Sequence, residues 1–159
     1  MQGLPLWQRL LAVAAYLLPW RHGVAFGGGL NRAFPALDPL FNALALPVFP
    51  LVAVENLLPF GGLLLFLGLF LGVVRNERVP YGIRFNVLQA ILLDIVLVLI
   101  TLVLGLVSSL VGPGGFALRT LNDTVFLGTV LVIGYCLVQG LRGLDPELPT
   151  VSEAVRMQL

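Results

Sequence analysis

The 159-residue chain contains no lysine, a single cysteine and a single histidine, and nine arginines against eight acids leave a formal charge of only +1. So small a positive excess gives a nucleic-acid partner almost no electrostatic support. Cys136 cannot form an intrachain disulfide, and with His22 alone no His/Cys cluster exists to hold a metal. Catalytic signals are missing as well. Paired carboxylates, a nucleophile beside a base and a phosphate-cradling glycine loop are all absent, and the run Gly27, Gly28, Gly29 has no following lysine and reads as a hinge. The sequence therefore implies no enzyme, no cofactor and no metal. Charged residues make up 11% of the chain and apolar ones 58%, with a mean hydropathy of +1.01, which marks a lipid bilayer as the solvent.

Four spans are expected. Residues 56–74 lack charge between Glu55 and Arg75, and residues 85–118 carry only Asp94 until Gly112, Pro113, Gly114 and Gly115 end the helix. Residues 124–141 are uncharged up to Arg142, and residues 39–54 form a weaker span in which Pro47 and Pro50 break the helix. The resulting reading is a single all-α membrane domain over 1–159, a four-helix transmembrane bundle. Its spans are 37–54, 57–74, 84–111 and 122–141, followed by a cytosolic tail at 142–159. Residues 10–20 hold only eleven uncharged positions between Arg9 and Arg21, too few to cross. They predict an interfacial amphipathic helix over 5–20, anchored by Trp7, Tyr16 and Trp20. The region around Gly23, Val24 and Ala25 makes a poor signal-peptide cleavage site.

Four spans put both termini on one side, with Arg9, Arg21, Arg32, Arg75, Arg78, Arg84, Arg142 and Arg156, and leave Arg119 alone on the other. The arginine-rich side is expected to be cytosolic or stromal. The loop residues Arg75, Asn76, Arg78, Arg84 and Arg142 set this topology, and Pro80 and Gly82 tighten the loop.

Within the third span, Asn86, Ala90, Asp94, Leu97, Thr101, Gly105 and Ser108 recur at helical spacing, with Gln89 on the flank. Asp94 lies ten residues beyond Arg84, about 15 Å along a helix. An ionised carboxylate at that depth should face protein or water. In the fourth span Thr124, Gly128, Leu131, Tyr135, Gln139 and Arg142 share a face. Paired antiparallel, the two stripes form a seam in which Tyr135 donates to Asp94, or part of a hydrophilic conduit. Gly61, Gly68 and Gly72 in the second span, with Gly105 and Gly128, are the expected helix-packing positions. The tail, with Ser152 as a cap, could dock on this bundle or on a soluble partner.

Two blocks carry a family likeness. The first runs from Val73 through Arg75, Asn76, Glu77, Arg78, Val79, Pro80, Tyr81, Gly82, Ile83, Arg84, Phe85, Asn86, Val87, Leu88, Gln89, Ala90 to Asp94 and Ile95. The second comprises Tyr135 to Gly143, then Pro149, Thr150, Val151, Ser152, Glu153, Ala154 and Val155. With Tyr16, Leu17, Leu18 and Pro19, they resemble the Tic twenty-kilodalton family of the plastid inner-envelope protein-import translocon, in its cyanobacterial form. The resemblance implies a multi-pass membrane subunit that passes precursor proteins with partner subunits or further copies of itself. Membrane lipids and a polypeptide passenger are its implied partners, and Arg75, Asn76, Arg84, Phe85, Asn86, Gln89, Asp94, Gln139 and Arg142 match the family pattern. The alternatives are a structural or assembly protein without transport, and a small-solute transporter. The first apolar segment begins too early for a transit peptide to precede it, so a cyanobacterial inner or thylakoid membrane is expected over a nuclear-encoded plastid precursor.

Overall fold

A computed structural model describes residues 5–159; the first four residues of the expected membrane domain lie outside that range. The described chain is all-α. Near the N-terminus α1 (Leu6–Ala14), α2 (Leu17–Ala25) and α3 (Gly28–Ala33) follow one another with single turns between them. Pro19 explains the first break: it has no N–H to give and its ring crowds the carbonyl four residues back, so the chain restarts at Leu17 and places Pro19 in the new first turn. Next come α4 (Asp38–Ala45) and α5 (Phe49–Leu57), joined by a 3₁₀ turn at Leu46–Val48. Pro39, Pro47 and Pro50 each stand in the first turn of a new segment, where their missing donors cost little. Helix α6 (Gly61–Leu69) continues through a wide turn, Phe70–Val74, closed by the Arg75 N–H donating to Phe70 O at 2.9 Å. The two longest elements are α7 (Tyr81–Val111) and α8 (Phe116–Leu141), and α9 (Val151–Gln158) ends the chain.

Three helices are long and apolar enough to cross a bilayer: Pro35–Leu57, Tyr81–Val111 and Phe116–Leu141; Gly61–Val74 is apolar but shorter. The protein is a multi-pass membrane protein. Leucine, valine and phenylalanine side chains cover its outside, with Leu106 67%, Leu110 84% and Phe116 86% exposed, as lipid-facing helices require.

The N-terminal segment departs from the interfacial helix expected over 5–20. It runs down the centre of the bundle between α7 and α8, with Ala12, Tyr16, Leu18 and Trp20 buried. Close approaches along α8 fix its direction. A Cβ on Gly140 would lie 2.5 Å from Val13 Cγ1, one on Gly23 2.4 Å from Thr129 Cγ2, and one on Gly29 2.8 Å from Asp123 Oδ1. Residues 13–29 therefore run antiparallel to residues 123–140 and traverse the same depth. Arg9 and Arg32, grouped together by the sequence argument, sit at opposite ends with Arg21 between them. Counting apolar residues only up to Arg21 treats that charge as a barrier, whereas in the fold Arg21 is paired with Glu55 and Asp94.

Packed around this segment are two apolar clusters. Ala12 and Leu18 join Val74, Ile83, Phe85, Val87, Leu88, Ile91 and Val155 at the end that holds the tail. Tyr16, Trp20 and Phe26 join Val48, Ala90, Leu97, Phe126, Ile133 and Cys136 on the other flank. Trp20 Nε1 donates to Leu44 O at 2.8 Å, and Phe41 stacks on Phe126 at 5.4 Å. These contacts hold α4 against the same core.

Candidate functional site

Four ionisable side chains from three separate segments meet inside the bundle. Arg21 Nη2 donates to Asp94 Oδ2 at 3.1 Å, its Nη1 donates to Glu55 Oε2, and its Nε donates to Leu18 O at 3.2 Å. His22 Nδ1 lies 2.8 Å from Asp94 Oδ1; a carboxylate only accepts, so the ring nitrogen is the donor. The side chains of Arg21 and Asp94 are 6% and 12% exposed, so this is an interior ion cluster rather than a surface pair. Burying it is tolerable because each charge has an opposite partner and hydrogen bonds at short range. Glu55 carries a further constraint. A Cβ on Gly61 would stand 2.0 Å from Glu55 O, and one on Gly62 2.4 Å from Glu55 Oε1, so the N-terminus of α6 rests on that residue. The partial positive charge of a helix start favours a carboxylate there.

Toward the tail, a second and uncharged network is fully buried. The Tyr16 hydroxyl donates to Asn86 Oδ1 at 2.9 Å, and Asn86 Nδ2 donates to Gly82 O at 2.7 Å. Gln89 Nε2 donates to the Tyr16 hydroxyl at 3.1 Å and to Pro146 O at 3.0 Å, with Cys136 Sγ 3.8 Å away. Ser152 Oγ donates to Gln89 Oε1 at 2.8 Å and accepts the Leu148 N–H at 2.7 Å. Between them these residues join the turn between α1 and α2, α7, α8, α9 and the segment before α9. The tail docks on its own bundle, with Ser152 3% exposed and Val155 fully buried. Serine 152 thus bonds inward to Gln89 and to the Leu148 amide.

The other sequence-nominated residues are placed as follows. Asn86, Gln89 and Asp94 are buried on α7, where Gln89 bonds to Tyr16, Pro146 and Ser152 and Asp94 to Arg21 and His22, rather than to the expected Tyr135, Gln139 or Arg142. Further along the stripe, Thr101 is exposed and donates to Leu97 O at 2.8 Å, Ser108 is half-buried, and Gly105 has open space where a Cβ would stand. On α8 the buried face is Phe126, Thr129, Ile133, Cys136 and Gly140. Thr124, Gly128, Leu131, Tyr135 and Arg142 face outward, with Gln139 half-buried and its Oε1 lacking a hydrogen-bond partner among the described residues. Asp94 holds Arg21 and His22 in place of the expected Tyr135. Gly61 is closely approached, whereas Gly68, Gly72 and Gly128 meet nothing within 4 Å.

In the loop before α7, Arg84 Nε donates to Val74 O at 2.8 Å, Asn76 Oδ1 accepts the Arg78 N–H at 3.0 Å, and Arg75 lies over the Phe70 ring at 5.8 Å. Sequence reasoning missed Arg21, His22, Glu55, Tyr16 and Ser152 as interior partners. The signal was present: an acid in mid-span demands a nearby cation, and the lone His22 adjoins Arg21. Among the described residues no group of three His, Cys, Asp or Glu side chains could hold a metal ion.

A Tic20 family protein of Synechocystis is 34% identical over 151 residues, covering 95% of this chain and 92% of the relative. The chloroplastic protein TIC 20-II of Arabidopsis thaliana is 32% identical over 158 residues, covering 98% and 74%, and the Tic20 family protein Ycf60 of Porphyra purpurea is 30% identical over 166 residues, covering 95% and 75%. A family model described as chloroplast import apparatus Tic20-like matches residues 4–155. With nearly its whole length matched, this multi-pass chain belongs to the Tic20-like family, a family of membrane transport components and not of enzymes.

Proposed function

We propose that this protein is a membrane subunit of a protein-translocation assembly, and that the outward face of α8 is its seam with a second copy, another subunit or the passenger polypeptide. The reading is carried by the division of polar groups. Those on the first half of α7 are spent inside the protomer on Arg21, His22, Tyr16 and Ser152, whereas Thr124, Tyr135 and Arg142 on α8 remain outward. A bundle whose centre is filled by its own N-terminal segment leaves no passage for a polypeptide within one protomer, so a path must lie between protomers or partners. Family membership supports a translocon-type role.

In this reading four crossings are made by residues 6–33, residues 35–74, α7 and α8. Arg9, Arg75, Arg78, Arg84, Arg142 and Arg156 mark the cytosolic or stromal end, against Arg32 and Arg119 at the other. Six against two keeps the positive-side bias and both termini on that side. The saturated interior networks also favour a second role as a scaffold for other subunits. A hydrophilic solute is less well served, because the larger clefts, about 600 Å³ beside Leu65 and about 300 Å³ beside Trp20, have apolar walls.

The test is site-specific crosslinking in native membranes. A photo-reactive group at Tyr135 or Gln139 should yield adducts with a partner subunit, a second copy or an arrested passenger, and one at Ala90 should yield none. Absence of polypeptide adducts from either α8 position would contradict the seam.

A further inference from the structure

At the end of the bundle remote from the tail, α3 and the start of α8 form a polar cleft unrelated to the α8 seam. We propose that this cleft binds the headgroup of an anionic, hydroxyl-bearing membrane lipid of the phosphoglycerol class. The cleft has a volume of about 230 Å³, with Arg32 of α3, and Arg119 and Asn122 of α8, on its walls and Gly28, Gly29 and Gly114 leaving it open. Arg32 and Arg119, on separate helices, both present a cation to one cleft, which suits an anionic ligand. Arg32 Nε donates to Gly28 O at 3.0 Å, which holds that guanidinium beside the cleft.

Asp123, one turn beyond Arg119, supplies the second half of the recognition. Its Oδ1 is buried without a hydrogen-bond partner among the described residues and stands 2.8 Å from where a Cβ on Gly29 would be. The Arg119 Cγ lies 3.4 Å from the same Gly29 position, so the Asp123 oxygen stands behind the glycine edge of the cleft as an acceptor next to the arginine-bearing wall. A bare phosphate would satisfy the donors and be repelled by the carboxylate. A headgroup with hydroxyls next to its anionic oxygens satisfies both.

Depth in the bilayer favours a lipid as the source. Arg119 and Arg142 are 142 − 119 = 23 residues apart on α8 and its immediate C-terminal cap. That separation is about 35 Å along a helix. The hydrocarbon core is roughly 30 Å thick, and headgroups bring the total to about 40–45 Å. With Arg142 in one headgroup layer, Arg119 therefore lies in the other. The proposal requires only that α8 spans the bilayer and stands whether or not the protein translocates anything.

Native mass spectrometry of the full-length protein in detergent, incubated in parallel with phosphatidylglycerol, phosphatidic acid and phosphatidylcholine, tests it. Phosphatidylglycerol should be retained about tenfold better than phosphatidylcholine, the size of one charge-assisted hydrogen bond. Arg32→Gln and Arg119→Gln should each remove most of that preference with the melting temperature unchanged. Asp123→Asn should abolish the advantage of phosphatidylglycerol over phosphatidic acid while keeping both above phosphatidylcholine. Equal retention of all three lipids, or indifference to both arginine substitutions, would overturn the site. An unchanged phosphatidylglycerol to phosphatidic acid ratio in Asp123→Asn would overturn the hydroxyl recognition. Displacement of the lipid by an equal concentration of free glycerol phosphate would make it a soluble-anion site and overturn the lipid assignment.

Discussion

Arg21 Nη2 donates to Asp94 Oδ2 at 3.1 Å across 73 residues of sequence, and the same guanidinium reaches Glu55. This places the cation of one membrane segment at the balance point of two others. Removing Arg21 leaves Glu55 without its cation and Asp94 with His22 alone, whereas neutralising Asp94 leaves Arg21 still paired with Glu55. Arg21→Leu should therefore cost about 3–5 kcal/mol and Asp94→Asn clearly less. Thermal melts in detergent check the order. In a double-mutant cycle the Arg21→Leu, Asp94→Leu pair should cost less than the sum of its singles. Strict additivity would mean that the two side chains do not interact.

The uncharged network makes a separate prediction. Gln89→Leu takes from the Ser152 hydroxyl and from Pro146 O their shorter hydrogen bonds, leaving only the 3.3 Å bond between the two, and should cost about 1–3 kcal/mol, with Ser152→Ala costing about 1–2. Ser152→Ala should also free α9, read as faster proteolysis at residues 143–150. Equal protease resistance of this variant and wild type would contradict the latch.

Two tyrosines should behave differently. Tyr16 is 1% exposed and bonded to Asn86 and Gln89, whereas Tyr135 is 39% exposed on α8. Tyr16→Phe should lower the melting temperature by several degrees, about 1–2 kcal/mol, and Tyr135→Phe should leave it unchanged. Matching melts for the two variants would argue against the placement of Tyr16.

Most of the α-helical layout was legible because hydropathy is summed over many residues and long apolar runs have few alternatives. The buried half of the α7 stripe was legible for a similar reason: Asn86, Ala90, Asp94 and Leu97 obey helical spacing. Its continuation through Thr101 and Gly105 was not: beyond Leu97 it is Ile100 and Leu104 that pack on the core, while Thr101 and Gly105 are exposed. Polarity alone does not reveal which side of α8 faces its own bundle: Thr124, Tyr135 and Arg142 face outward and the interior face is Phe126, Thr129, Ile133, Cys136 and Gly140. The packing of the N-terminal segment was not legible, for a reason of scale. A charge in an apolar run is read as an end, and only the fold shows Arg21 meeting Glu55 and Asp94.

Glycine positions separate close packing from mere abundance. At Gly61 an added Cβ would meet the Glu55 backbone at 2.0 Å, whereas Gly68 and Gly72 have open space. Gly61→Ala should destabilise the protein, because backbone cannot give way. Gly68→Ala and Gly72→Ala should be neutral or stabilising by up to about 1 kcal/mol from helix propensity. Melting curves of the three variants in one detergent decide it, and a neutral Gly61→Ala would contradict the contact between α5 and α6.

Whether the N-terminal segment fills the bundle is the question on which the rest depends, and aqueous maleimide labelling answers it. In a Cys136→Ser background, single cysteines at Ala90, Asp94, Arg142 and Glu147 would be probed in intact proteoliposomes and again after solubilisation in denaturant. Full protection at positions 90 and 94 until denaturation, with ready labelling at 142 and 147, is the predicted result. Labelling at position 90 in the intact membrane, at a rate close to that at position 147, would show water where the structure puts Tyr16 and Trp20 and would contradict the account.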